Sequence, residues 1–326
     1  MSDVALWITE NDVADLLTLP EAIDVLAGAY RLQAGGQASS MRRAHIRSGN
    51  AILHAVGGVI DEAGLTGTKT WTYTPGGAAP LLILFSLTDG SVLGIIEAFA
   101  MGQMRTAATC GLGTRLLAAP QAESLALLGT GKQSFTQAAA VAAVRPIQRI
   151  SLYGRDPGRR EALAQRLADE LPVAVAEHDD VAEAVDGADI VTTITRSADP
   201  LLTGAMLAPG MHVNAVGAIV PSRRELDESA IARCDVIVVD SLGQARDDAG
   251  ELRAAADAGQ LDWELVRGLD DVVQSAPDAL RGPGDITLMK TLGVGLSDVA
   301  LGAEILRRAQ AAGAGRPLPR PTLAHH

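Results

Sequence analysis

Apolar and polar positions along the chain follow two rhythms. In the first third they alternate in short runs, which predicts strands at Ala5–Thr9, Arg43–Arg47, Ala51–Val56, Gly67–Tyr73, Leu81–Ser86 and Val92–Glu97. A period of two turns one strand face to a core and the other away from it. Helical spacing predicts Asn11–Leu17 and a longer helix opening at Thr18-Leu19-Pro20. Thr suits the cap, Pro suits the first turn, and Gly35-Gly36 ends the helix after Gln33. Asp89-Gly90 is a hairpin turn, and a helix from Met101 to Leu117 closes this α+β region.

After Pro120 strand and helix patterns alternate. Strands are predicted at Ser124–Leu128, Arg149–Tyr153, Val173–Val175, Ile190–Thr195, Met211–Val216 and Asp235–Val239. Helices fall at Gln133–Ala143, Arg159–Leu171 and Asp180–Val185. That order predicts an α/β fold, a parallel sheet with helices on both faces. A last helix, Ser297–Ala312, carries an apolar stripe and is expected to pack back on the first region. The expected domains are 1–117 with 301–326, and 118–300.

Composition narrows the function classes. Hydrophobic residues make up 48% and charged residues 20% of 326, which supplies a core and argues against disorder. Aromatics are only 3% and the formal net charge is −12. Neither nucleic acid nor an anionic membrane suits such a chain as partner. Cys110 and Cys234 read as buried thiols of a reducing, cytoplasmic setting. No apolar run reaches the ~18 residues of a membrane span, and Asp3 and Glu10 do not suit a signal peptide. No spacing of His, Asp or Glu resembles a metal site. The closing His325 and His326 read as tail.

The most informative stretch is Leu125-Ala126-Leu127-Leu128-Gly129-Thr130-Gly131-Lys132-Gln133-Ser134. It reads as a strand, a glycine-rich turn and a helix start. Gly129 suits the tight turn, Gly131 lets backbone approach a pyrophosphate, and Ser134 is small enough for close helix–strand packing. The helix start offers N–H groups and a positive dipole end to phosphate. This is the fingerprint of a Rossmann dinucleotide-binding domain. The next strand ends at Tyr153-Gly154-Arg155-Asp156. Arg155, with Arg159 and Arg160, suits a ribose 2′-phosphate and favours NADP(H). The alternative gives Asp156 the ribose hydroxyl, and then NAD(H) is used.

Three cations of the first region can hold a substrate carboxylate. Arg43 is expected at a strand start, Lys69 within a strand, and Arg105 on a helix of small apolar residues. An unpaired charge in the last two places is costly, so each is paired or functional. Arg offers bidentate contacts and Lys a point charge. His54 is a further pocket candidate beside its reading as a core histidine, and Leu81, Ile219 and Leu292 are candidate pocket walls. His212 reads as structural. Glu97, Asp189 and Asp240 read as caps.

Taken in order, several stretches resemble the ornithine cyclodeaminase/mu-crystallin family. They are Gly67-Thr68-Lys69, Arg105-Thr106-Ala107-Ala108, Gly129-Thr130-Gly131-Lys132-Gln133, Ala188-Asp189-Ile190-Val191 and His212-Val213-Asn214-Ala215-Val216-Gly217-Ala218. Pro221, Arg224-Glu225-Leu226-Asp227, Gly250-Glu251-Leu252, Lys290-Thr291-Leu292-Gly293 and Asp298 continue the match. The resemblance implies a homodimer whose first domain supplies both the dimer interface and the substrate site. It implies that Arg43, Lys69 and Arg105 bind the carboxylate, although Arg42 is adjacent and the usual preceding Pro is absent. It also implies that Thr195, Val216, Gly217, Ala218, Ile219, Arg223 and Thr291 lie on the cofactor side.

One departure shapes the expected chemistry. The family's cyclodeaminases carry an Asp where this chain has Ile219. Isoleucine neither accepts a proton nor holds an ammonium. The sequence therefore favours an NAD(P)H-dependent imine reductase or amino-acid dehydrogenase acting at the α-carbon of a small amino or imino acid. Lys69 and Arg105 are its expected catalytic residues, with a bound water as rival proton source. An ornithine or lysine cyclodeaminase and a non-catalytic NADPH-binding protein are the alternatives.

Overall fold

The computed structural model describes residues 4–319. The chain divides into two units, one built up to Arg105 and again from Val294, the other from Thr106–Gly293. The expected borders at 117 and 300 therefore move. The second unit takes the end of the helix Phe99–Leu117, because the Thr114 hydroxyl accepts from Asn214 and the Leu117 carbonyl from Thr287. The closing histidines lie outside the described residues.

In the first unit β1 (Leu6–Ile8) leads to α1 (Glu10–Leu16) and α2 (Leu19–Ala34). Strands β2 (Ala38–Ser40), β3 (Ala44–Ser48), β4 (Ala51–Ile60), β5 (Leu65–Tyr73), β6 (Leu81–Ser86) and β7 (Val92–Glu97) follow. Among the described residues the sheet runs from Arg316–Pro317 through β1, β7, β6, β5 and β4 to β2, and β3 also pairs with β4. Among the described strands of this sheet only β1 and β7 are parallel neighbours. Both early helices start at capping boxes, Thr9 with Asp12 and Thr18 with Glu21. The next helix, α3 (Phe99–Leu117), is capped from a distance. The Glu10 carboxylate accepts from the N–H groups of Phe99 and Ala100, each at 2.7 Å.

The closing helix, Gly295–Ala312, lies on the buried face of this sheet. Glycines on both sides permit the close approach. A Cβ on Gly295 would stand 2.1 Å from the backbone of Gly57, and one on Gly302 would stand 2.2 Å from Leu82. Along β5, Leu65, Gly67 and Lys69 alternate onto that same buried face. Sheet geometry thus carries a lysine into the contact with the helix.

The second unit contains β8 (Ser124–Leu128), α4 (Ser134–Ala142), β9 (Arg149–Tyr153), α5 (Pro157–Glu170), β10 (Ala174–His178), α6 (Val181–Val185), β11 (Ile190–Thr193) and β12 (His212–Ala215). It continues with α7 (Glu228–Ala232), β13 (Val236–Val239), α8 (Leu242–Asp248), α9 (Gly250–Asp257), β14 (Val266–Gly268), α10 (Leu269–Val272) and β15 (Thr287–Lys290). The strand order is β10-β9-β8-β11-β12-β15-β13-β14, parallel throughout. The order reverses beside β8, so the crevice beyond the carboxyl ends of β8 and β11 is a switch point of the Rossmann kind. β15 is a strand the sequence reading lacks. Four residues between Gly-rich turns carry no periodicity, yet they fill the place between β12 and β13.

Candidate active site

Lys69 and Arg105 meet at one carboxylate. Asp298, in the first turn of the closing helix, presents Oδ1 to Lys69 Nζ at 2.5 Å and to Arg105 Nε at 3.3 Å. Asp298 is fully buried and Lys69 only 4% exposed. Gly102 of α3 faces the ammonium, 3.7 Å from where its Cβ would be. The Trp71 ring lies 5.2 Å from Nζ. Burial pushes the Lys69 ammonium down to about 8, with Asp298 pulling the other way and Arg105 and Arg43 adding to the fall. The second oxygen, Oδ2, has no hydrogen-bond partner among the described residues.

Arg43 lies in the loop just before β3, not at the start of a strand. It is half-buried, while Arg42 is exposed. Its charge bears on both Lys69 and His54. His54 pairs across β4 and β5 with Trp71 and stacks on it at 4.8 Å. Burial first, then Arg43, His45 and Arg47, hold the imidazole below its ordinary value. It is therefore neutral near pH 7, and its buried Nδ1 has no hydrogen-bond partner among the described residues. So in the first unit Lys69 and Arg105 meet on one buried anion, Trp71 lies against both Lys69 and His54, and the charge of Arg43 bears on Lys69 and His54. The sequence reading missed that anion as a functional group, because Lys69 and Asp298 are 229 positions apart. A separate cavity of about 390 Å³, lined by Trp7, Glu10, Leu81, Glu97 and Phe99, contains none of these residues.

In the second unit Gly129 has φ +132°, and a Cβ there would meet the Ile194 carbonyl at 2.5 Å. A Cβ on Gly154 would meet Thr130 at 2.4 Å, so β9 closes tightly on the turn. Gly131 differs, for a Cβ there would meet nothing within 4 Å. Its N–H donates to Ser134 Oγ at 2.9 Å. The open space lies above the amino end of α4, a cradle that fits the pyrophosphate of a dinucleotide. Asp156 caps α5 by accepting from the N–H of Arg159. Arg160 donates to the Gly154 carbonyl and pairs with Glu177. Arg155 is exposed and makes no hydrogen bond or ion pair among the described residues.

At the other strand ends the key group is Glu225, fully buried. Its Oε1 accepts from Thr195 N and Oγ1, and its Oε2 from Thr193 Oγ1, Gly217 N and Ala218 N. β11 stops at Thr193 rather than Thr195, because the Thr195 N–H turns to this carboxylate. The Val216 side chain is buried in the core of this unit. Ile219 is 40% exposed. Arg223 is half-buried, and the Thr291 N–H donates to the Ala215 carbonyl. Leu292, expected as a pocket wall, packs instead in the core of this unit, its N–H held by Asp240. Glu97, Asp189 and Asp240 all accept backbone N–H groups. Among the described residues no group of three His, Cys, Asp or Glu is placed to hold a metal. No described helix is long and apolar enough to cross a membrane.

The profile of the ornithine cyclodeaminase/mu-crystallin family matches residues 4–313. The Delta(1)-pyrroline-2-carboxylate reductase of Bacillus cereus is 30% identical over 239 residues, 73% of either chain. A solved structure of a probable ornithine cyclodeaminase from Bordetella pertussis Tohama I is 33% identical, with TM-score 0.87 over 96% of this chain and 100% of that one. The iminosuccinate reductase of Paracoccus denitrificans, solved with NAD+, is 25% identical, with TM-score 0.90 over 97% of this chain and 99% of that one.

Proposed function

This chain belongs to the ornithine cyclodeaminase/mu-crystallin family, and on that premise we propose that it is an NAD(P)H-dependent reductase of imino acids. It reduces the C=N bond at the α-carbon of a small substrate bearing a carboxylate. The observation that carries this reading is the sharing of Asp298 Oδ1 by Lys69 and Arg105. The two cations converge on one point of the first unit, and cations so placed suit a substrate carboxylate.

In this reading Arg43, Lys69 and Arg105 bind and orient the carboxylate, and His54 with Trp71 borders the substrate side chain. A nicotinamide bound at the second unit would supply the hydride that the α-carbon accepts. The imine carbon is reduced, its nitrogen gains a proton, and an amine is left. Lys69 is our assignment for that proton, since an ammonium near pKa 8 gives one up readily near neutral pH. Gly131 and the start of α4 take the pyrophosphate. Arg155, unoccupied by the protein's own carboxylates, suits a 2′-phosphate, and Asp156 is already engaged as a cap. This supports NADP(H) over NAD(H). By the family resemblance the working form is a homodimer.

Ile219 argues against ring closure, because an exposed isoleucine offers no base where a cyclodeaminase has its aspartate. The test follows NADPH and NADH oxidation with Δ1-pyrroline-2-carboxylate, Δ1-piperideine-2-carboxylate, and 2-oxo acids plus amines. Oxidation with at least one imine is expected. Ammonia release from ornithine, with no net change in nicotinamide, would overturn the proposal.

A further inference from the structure

The carboxyl ends of β11, β12 and β15 hold three buried charges that the account above leaves without a function. Glu225 grips one side of Gly217–Ala218 through both N–H groups, at 2.7 and 3.2 Å. Lys290, at the end of β15, grips the other side. Its ammonium donates to the Ala218 carbonyl at 2.5 Å and to Glu251 Oε1 at 2.9 Å. Lys290 and Glu251 are fully enclosed, and Glu251 Oε2 has no partner among the described residues. Ala218 thus has a buried anion on its N–H and a buried cation on its C=O. Gly217 admits no side chain, since a Cβ would lie 2.2 Å from the Thr195 carbonyl.

Such an arrangement is expensive. Each enclosed charge gives up its hydration, and apolar residues of similar volume often hold a fold equally well. Its location suggests what it is for. In a doubly wound sheet the dinucleotide crosses the switch point. By that rule the turn after β8 would hold the pyrophosphate, and the adenosine half would extend toward β9. The other half then has only the ends of β11 and β12 to lie on. Those ends are Thr195 and Gly217–Ala218, the groups tied together by Glu225.

We propose that Glu225 and the Lys290–Glu251 pair clamp Gly217–Ala218 from opposite sides and so position the nicotinamide half of the cofactor. The inference rests on the reading of this unit as a dinucleotide site. The three residues are positioning residues, acting through the backbone they hold.

The experiment separates the halves of the cofactor. Glu225→Gln and the double variant Lys290→Met/Glu251→Leu are titrated with NADPH, NADH, ADP-ribose and its 2′-phosphate. Melting temperatures confirm folding, and the double variant guards against loss of fold by removing both charges of the pair. Affinity for the adenosine fragments is expected to stay within about twofold, while affinity for the full nicotinamide cofactor falls about tenfold. Turnover should fall about a hundredfold. Equal weakening of fragments and cofactors would mean general damage to the unit and defeat the proposal, as would unchanged affinity for all four. A wild-type protein that binds all four yet reduces no imine would unseat the reductase reading alone. One that binds none would remove both.

Discussion

Lys69 Nζ and Asp298 Oδ1 stand 2.5 Å apart in a setting almost closed to water. Burial holds the ammonium at about 8, and the carboxylate keeps it from falling further. Below that value Lys69 is charged and can bind a carboxylate or release a proton. Above it both abilities fade. We expect kcat/KM for imine reduction to decline as pH rises through about 8. Asp298→Asn removes the upward pull, so the alkaline limb should move down by about one unit or more, a loss of about tenfold at fixed pH. Lys69→Arg should move the limb up instead. A profile unchanged in both variants excludes Lys69 as the titrating group.

Gly131 and Gly129 should respond differently to alanine. Gly131→Ala meets no atom within 4 Å, so its melting temperature should match wild type. NAD(P)H affinity should still fall at least about tenfold, because the methyl group occupies the pyrophosphate cradle. Gly129→Ala, at φ +132° and against the Ile194 carbonyl, should lose stability itself. Full NADPH affinity in a folded Gly131→Ala protein would count against the cradle.

Arg155 tests cofactor choice. Its exposed guanidinium has no competing partner among the described residues. Arg155→Ala should weaken NADPH about tenfold and leave NADH within about twofold. Equal effects on the two cofactors would contradict a 2′-phosphate contact.

His212 predicts an acid limit to stability. It is enclosed between Thr287 and Asn214, and burial lowers it to about 3 from an ordinary 6.5. The ring stays neutral in the fold, but in the unfolded chain it takes a proton below about 6.5. Its stability contribution is therefore complete above that value and declines as pH falls toward about 3. His212→Gln should flatten the dependence of the urea midpoint on pH between about 7 and 5. An undiminished slope would assign the acid sensitivity elsewhere.

What the sequence made legible was local. The β5 and β6 alternation, the capped start of α2 at Thr18 and Pro20, and the turn from Leu128 to Ser134 all announce themselves within ten residues. The chemistry of the site did not, since it depends on partners far apart. Lys69 and Arg105 looked like charges that had to be paired, but nothing near them names Asp298. Glu225 reads as one more acid in an Arg-rich stretch until the fold gives it five donors. Lys290 ends a strand too short to show a period. Leu292 misled for a related reason, because an apolar residue beside a candidate loop looks the same whether it faces a pocket or a core.

The placement of Asp298 also bears on how the protein is made. Residues 106–293 form one uninterrupted unit, while the first unit is split around them. On the ribosome the inserted unit can therefore complete itself while the earlier one still waits. Lys69 is synthesised long before its counterion, and Gly57 long before Gly295 covers it. A nascent chain arrested short of Asp298 would carry a lysine in its core row with no anion to neutralise it. The helix Gly295–Ala312, made after the inserted unit, both covers the sheet of the first unit and brings the carboxylate that meets Lys69.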